Sequence, residues 1–267
     1  MLLKFTLSFW HFADLIAFFN SKGQVLMYRL TNKGEHIREM FDSIAPRYDL
    51  LNRLLSLGID RKWRRFAVKQ IRFAEGGKVL DVATGTADVA LEIAAATPGS
   101  VTVTGVDFSP QMIELGREKV KHSQFSDRIT LLVAPCESIP FEANSFDSAT
   151  IAFGIRNVVD RTCGLKEILR VLKPHGRIVI LEFSNPQSKI FKALYNFYFL
   201  KILPVVGGLI SNFGAYKYLP DSVLEFPSQK QFKIIMSEAG FKAVTHTDLT
   251  FGIATVYTGE KPADLVC

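Results

Sequence analysis

The sequence predicts an α/β fold in which a seven-stranded, mostly parallel sheet carries helices on both faces. From residue 77 onward, short runs dense in Val, Ile and Leu alternate with stretches of helical period, the pattern of a parallel sheet buried on both sides. The last two runs are joined only by "LTFG" (249–252), too short for a parallel crossover, so the final strand is expected to run antiparallel. Polar turns follow the first strands, at the carboxyl ends where open sheets bind ligands.

Before the sheet, "LLKFTLSFWHFADLIAFF" (2–19) is apolar but interrupted by Lys4, His11 and Asp14. It has no basic start and no small-residue cleavage site, so it is not read as a signal peptide, and it is short for a membrane span. The remaining readings are a surface-lying helix or a start called too early, with Met27 the favoured true start and residues 1–31 an extension. "GEHIREMFDSIAPRYDLLNRLLSLGIDRKWRRFAVKQI" (34–71) reads as a helical cover broken at Pro46 and Gly58, fastened by Asp60, Arg61 and Trp63.

Strands are then expected at 78–83, 101–108, 129–134, 145–153 and 176–184, with helices near 87–97, 110–121 and 162–173 between them. A helix near 228–239 precedes the closing strands at 241–249 and 253–260. Residues 188–220 are rich in aromatics and dotted with Lys189, Lys192, Lys201 and Lys217. Asn196, Lys201, Pro204 and a Gly pair divide this apolar run, so it reads as a lid or lipid-facing cover rather than a span. One Rossmann-like domain over 32–262, with a short tail at 263–267, accounts for the whole pattern.

Composition fits that reading. The 267 residues are 48% hydrophobic and 22% charged, enough for one large core. A net charge of +6 admits an anionic partner such as a phospholipid surface. Without a dense Lys/Arg run or finger spacing, nucleic acid is not expected. Cys136, Cys163 and Cys267 show no CxxC pattern, which points to a reducing compartment and no zinc site; the histidines have no metal-ligand spacing either, so no metal is expected.

The cofactor turn is "DVATGTAD" (81–88), where the first strand meets the first helix. Asp81 opens it, Gly85 permits a tight turn and close approach of a ligand, and Thr86 offers a hydroxyl beside free helix N–H groups. It lacks GxGxxG and a phosphate-gripping Lys, which suits a ligand without pyrophosphate. Asp107 ends the second strand, placed to accept ribose hydroxyls, while Phe108 and Met112 line an adenine face and Pro135 and Cys136 follow the third strand, with Glu137 beside them. Each could be structural alone: a capping acid, a plain turn, a small buried thiol. Together they read as a nucleoside site, with S-adenosylmethionine favoured over NAD.

At this point the sequence resembles the class I S-adenosylmethionine-dependent methyltransferases, and within them the C-methyltransferases of menaquinone and ubiquinone biosynthesis. The carriers are "FDSIAPRYDLLNRLLSLGIDRKWRR", "LDVATGTAD", "PCESIPFEANSFD", "AFGIRNVVD", "RVLKPHGRIVILEFS", "YKYLPDSVLEFP" and "LTFGIATVYTGEK". The resemblance implies that Thr86, Asp107 and Pro135–Cys136 hold S-adenosylmethionine and that a polyprenyl quinol is methylated on carbon. It implies a cytoplasmic enzyme resting peripherally on the inner membrane face, with a homodimer left open. Ala87 and His175 stand where the family usually has Gly, Pro135–Cys136 where Asn–Ala is common, and Ala152 where Ser is frequent.

The "FGIRN" segment should then line the methyl-transfer site. A quinol carbon becomes nucleophilic when a hydroxyl of pKa about 10 loses its proton, so the site has to stabilise the anion. Arg156 supplies a permanent charge and a planar fork, Asn157 a neutral donor and acceptor, and Gly154 room for the ring. A guanidinium is a poor base, so Arg156 is expected to lower the quinol pKa, the proton leaving through water or Tyr48. The plain alternative is an Arg156–Asp160 ion pair at a helix start. Tyr48, Asp49 and Asn52 of "RYDLLN" form a second cluster, otherwise readable as a helix cap. The rival functions are methylation of another small apolar or lipid substrate, or a non-catalytic cofactor-binding scaffold, against which the intact Arg156–Asn157 pair argues.

Overall fold

Residues Ile178–Leu181 carry no polar side chain, so their strand is stable only with cover on both sheet faces. The computed structural model describes residues 15–19, 25–29, 32–56, 58–184, 186 and 213–263. It begins with an antiparallel hairpin of β1 (Leu15–Phe19) and β2 (Val25–Arg29). The alternative of a surface helix over 2–19 does not hold at Leu15–Phe19, the part of it among the described residues: "LIAFF" and "VLMYR" are rich in β-branched and aromatic residues that fit a pleated pair. Met27 lies within β2.

The cover follows as α1 (Asn32–Ile44), a 3₁₀ turn at Ala45–Arg47 containing Pro46, α2 (Tyr48–Leu55) and α3 (Asp60–Val68). The sheet comprises β3 (Lys78–Val82), β4 (Thr102–Asp107), β5 (Ile129–Val133), β6 (Phe146–Ala152), β7 (Leu172–Phe183), β8 (Lys242–Leu249) and β9 (Ala254–Glu260). Its order is β5-β4-β3-β6-β7-β9-β8. β9 runs antiparallel to β7 and β8, as the short "LTFG" connection requires. The helices are α4 (Asp88–Ala96), α5 (Pro110–Lys121), α6 (Arg161–Val171), α7 (Phe213–Leu224) and α8 (Gln229–Glu238). The expected lid at 188–220 lies outside the described residues except for Phe213–Pro220, which open α7.

Alternation along β7 sorts the core into two faces. Ile178 and Ile180 pack with Leu165 and Ile168 of α6 and Phe232 and Met236 of α8. Val179 and Leu181 pack with Trp63 and Ala67 of α3. The Trp63 indole N–H donates to Thr250 Oγ1 at 2.8 Å, fastening α3 to the loop before β9. Of the other expected fasteners, Asp60 is buried within the cover and Arg61 is exposed.

The chain passes from β3 to β4 on one side while β6 lies on the other, so the switch point falls between the carboxyl ends of β3 and β6. Four non-glycine or glycine positions there have left-handed backbone: Ala83 (φ 52), Gly85 (φ 55), Ala87 (φ 68) and Phe153 (φ 56). Ala87 and His175 (φ 63), the two positions where the related family usually has Gly, are both left-handed here.

Gly154 follows β6 across the switch point, where an added Cβ would stand 2.4 Å from the Ala83 Cβ. Glycine is therefore required by packing between strand ends. Gly154→Ala should lower stability by about 2 kcal/mol, the usual cost of overpacking. Adding Ala83→Gly removes the clashing methyl and relieves a left-handed alanine, so the double variant should regain most of the loss. Urea denaturation checks this; a double variant no more stable than Gly154→Ala would contradict it.

Candidate active site

The β3 carboxyl end is built around two buried carboxylates. Asp81 accepts from Thr84 Oγ1 and from Thr150 Oγ1, each at 2.6 Å, which locks the start of the turn to β6. Asp107 accepts the Gly85 N–H through Oδ2 and the Ser109 N–H through Oδ1, both at 2.9 Å. One carboxylate thus ties the β3 turn to the β4 turn. Burial raises each acid to about 6, against the hydroxyl and backbone hydrogen bonds that favour ionisation.

The cover helices close over this corner. Asp42 of α1 accepts from Ser109 Oγ at 2.5 Å, and Ser109 also caps α5 by accepting the Met112 N–H at 3.1 Å. The Tyr48 ring lies beside Gly85, 3.9 Å from where a Cβ would be. Phe41 meets Tyr48 and Phe108 edge-on, with centroids 6.1 and 6.4 Å away. Thr86 points into a charged cluster, donating to Asp49 Oδ1 at 2.6 Å and accepting from Lys119 Nζ at 3.0 Å.

Between the strand ends a cleft of about 40 Å³ is lined by Gly34, Ala83, Asp107, Phe108, Ala134, Pro135, Cys136, Glu137, Gly154 and Asn157–Val159. Cys136 is buried, and burial keeps its thiol well above the usual range. Glu137 accepts the N–H groups of Val159 and Asp160 at 3.2 and 3.4 Å, joining the ends of β5 and β6.

The "FGIRN" segment forms a 3₁₀ turn over Ile155–Asn157. Arg156 donates from Nη1 to Glu182 Oε1 at 2.7 Å and to Phe153 O at 2.6 Å, while its backbone N–H meets Glu182 Oε2 at 3.2 Å. Both side chains are buried, and the guanidinium stands 5.5 Å from the centre of the Phe183 ring. This corrects the alternative pairing with Asp160, which instead caps α6 by accepting the Cys163 N–H at 2.9 Å. Sequence proximity favoured Asp160, but a solvated cap cannot neutralise a buried guanidinium. Arg156 Nε has no hydrogen-bond partner among the described residues.

Two phenols flank this charge. The Tyr218 hydroxyl of α7 donates to Asn157 Oδ1 at 3.0 Å. Burial raises both the Tyr48 and Tyr218 pKa values, and the Arg156 charge draws each partly back. Both phenols therefore hold their protons at neutral pH.

The structure brings Asp107, Phe108, Pro135, Cys136 and Asn157 to one cleft. Gly85, tied to Asp107 by its N–H, lies outside the lining with Tyr48 beside it, as does Arg156, the neighbour of Asn157 in the chain. Asp81 and Met112 lie beneath the turns at 1% and 2% exposure, supporting the cleft without lining it. Sequence reasoning missed Glu182, Tyr218 and Lys119. Glu182 was detectable as an acid inside the otherwise apolar strand "IVILEF".

Comparison with known proteins bears on this arrangement. Residues 29–261 match the profile of the ubiE/COQ5 methyltransferase family. The ubiquinone/menaquinone biosynthesis C-methyltransferase UbiE of Geotalea uraniireducens is 72% identical over 235 residues, covering 88% of this chain and 100% of its own. The demethylmenaquinone methyltransferase of Deinococcus radiodurans is 48% identical over 231 residues, covering 86% and 94%. Among solved structures, the [4+2]-cyclase SpnF superposes with a TM-score of 0.66 at 16% identity, covering 87% of this chain and 97% of its own. An S-adenosylmethionine-dependent methyltransferase from Thermotoga maritima gives 0.59 at 21%, covering 85% and 100%. A cyclase and a methyltransferase on one scaffold show that these likenesses define the fold alone. The extended sequence match goes further: this chain belongs to the ubiE/COQ5 methyltransferase family.

Proposed function

We propose that the protein methylates a ring carbon of a polyprenyl quinol, demethylmenaquinol first and the corresponding benzoquinol of ubiquinone synthesis second. The names of the relatives at 72% and 48% identity support that substrate class. The observation that carries the chemistry is Arg156: a buried guanidinium, fixed by Glu182, with an Nε–H lacking an acceptor among the described residues.

The donor set fits S-adenosylmethionine. Asp107 accepts one backbone N–H at each oxygen and retains lone pairs for ribose hydroxyls. Phe108, Ala134, Pro135 and Cys136 give an apolar slot suited to an adenine ring, and Gly85 leaves the turn backbone open. When bound, the cofactor supplies an electrophilic methyl group. Asp81 and Thr86 act one layer below, holding the turn.

Beside Asn157 of the cleft wall, the Arg156 charge and its Nε–H stabilise the quinol oxygen as it loses its proton to water. Neither Arg156 nor a phenol held above its ordinary pKa is a competent base. Tyr48 and Asn157 orient the ring by hydrogen bonding. The ring carbon gains the methyl, releases its own hydrogen as a proton, and the oxygen regains one, for one proton released overall. Burial of the Arg156–Glu182 pair keeps the charge interactions strong.

Peripheral membrane contact belongs to the same proposal. No helix among the described residues is long and apolar enough to cross a membrane, while the substrate class is lipid-soluble and the chain carries a net charge of +6.

The ribose contact requires an ionised Asp107, so affinity should be full above pH 6 and lost as pH falls through it. Calorimetry should find S-adenosylmethionine binding about tenfold weaker at pH 5 than at pH 7.5, because about a tenth of the carboxylate remains ionised one unit below its pKa. An Asp107→Asn protein should bind weakly at both pH values. Equal wild-type affinity at the two pH values would contradict the assignment.

Arg156→Lys keeps a cation for Glu182 but loses the fork and the Nε–H. Its kcat should fall on the order of 10²-fold with cofactor affinity nearly unchanged. Single-turnover rates near wild type would assign Arg156 to structure alone.

A further inference from the structure

We infer that Lys119 is a positioning residue, an ionic latch that fastens the N-terminal cover onto the cofactor turn and thereby sets how fast cofactor leaves. This rests on the reading of the Gly85–Thr86 turn as the cofactor site.

Lys119 lies on α5, whose face towards the turn is cut back at Gly116. An added Cβ there would stand 2.9 Å from Leu131 Cδ1 and 3.3 Å from Gly85 O. One helical turn later, Lys119 Nζ reaches Asp49 of α2 at 2.5 Å, Asp88 of α4 at 2.7 Å and Thr86 of the turn at 3.0 Å. All three ammonium donors are therefore used, each on a different element. Asp49 in turn accepts the Thr86 hydroxyl, so α2 and the turn are joined both directly and through the cation.

The cluster continues through Arg64, which contacts Asp88 at 3.2 Å and Asp60 at 2.5 Å, and Asp60 accepts from Ser56 at 2.6 Å. Burial pushes the Asp88 carboxyl up, but Lys119 and Arg64 outweigh it and hold the group below its usual value. Asp88 is thus secured from two sides, whereas Asp49 has Lys119 as its ion-pair partner. The Asp49–Lys119 arm is the ionic part of the hold on α2, beside the neutral Thr86–Asp49 hydrogen bond.

The cleft beneath the cover encloses about 40 Å³, room for a few waters and far below the roughly 300 Å³ or more of a small-molecule site. Gly34 of α1 forms part of its wall and Tyr48 of α2 lies against Gly85. Movement of α1 and α2 therefore changes the room open to a nucleoside. α3 is anchored to the sheet through Trp63, while Asp49 with Lys119 and Thr86, and Asp42 with Ser109, are polar fastenings of α2 and α1.

Asp49→Asn removes the Lys119 ion pair yet can still accept the Thr86 hydroxyl, and it leaves Lys119–Asp88 intact. Stopped-flow Trp fluorescence would follow release of S-adenosylhomocysteine from wild type, Asp49→Asn, Lys119→Met and Lys119→Arg, with thermal melts in parallel. Release should quicken about five- to tenfold in Asp49→Asn and in Lys119→Met, with Lys119→Arg restoring most of the wild-type rate. Melting temperature should change little in Asp49→Asn. Unchanged release with lowered melting in both variants would reduce the cluster to structure and overturn the inference. A wild type that binds no S-adenosylhomocysteine would instead overturn the cofactor-site reading beneath it.

Discussion

Glu182 has no exposed surface, and the carboxyl ends of β6 and β7 are arranged to satisfy its charge. A carboxylate in the middle of a sheet costs several kcal/mol unless paired and hydrogen-bonded. Here Oε1 takes the Arg156 guanidinium and the Phe183 N–H, and Oε2 takes the Arg156 N–H. That demand draws the chain after β6 back towards β7 and forces the tight turn at Phe153–Gly154. It also fixes the guanidinium beside Asn157 and the two phenols. On the proposed function the same pair supplies the electrostatics, because a charge held without freedom to reorganise can act on a developing anion at little further cost.

A second constraint acts across the switch point. Asp81 joins β3 to β6, Asp107 joins two turns, and Lys119 joins two helices and the Gly85–Thr86 turn. Each is a buried or half-buried charge met by groups distant in sequence, so the cleft and its cover form one polar unit. The polar unit in turn stands on two apolar faces, where α6 and α8 on one side and α3 on the other leave the strand ends little latitude.

Legibility in the sequence follows the range of the interactions. All seven sheet strands were readable because runs such as "IVIL" have a local signature, and the antiparallel end followed from a four-residue connection. β7 begins earlier than expected, at Leu172, because Pro174 and the left-handed His175 hide its first residues. The hairpin at Leu15–Arg29 was missed because its alternation is too weak to outweigh the scattered polar residues before it. Gly85, Asp107 and Arg156 stood out by chemistry at strand ends, yet the partners that define them did not. Glu182 is 26 residues from Arg156, and Lys119 is 70 from Asp49. In "REKVK" a lysine looks like any solvated helix residue, and nothing local distinguishes it from its neighbours.

On the proposed function, a methyl donor held at Asp107 meets a quinol whose oxygen is steadied by Arg156, with a ring carbon as acceptor. Purified protein given methyl-deuterated S-adenosylmethionine and demethylmenaquinol in detergent tests this most directly, with the product analysed by mass spectrometry and NMR. The label should appear as a ring-carbon methyl. A label on oxygen, or no transfer under conditions where the cofactor binds, would contradict it.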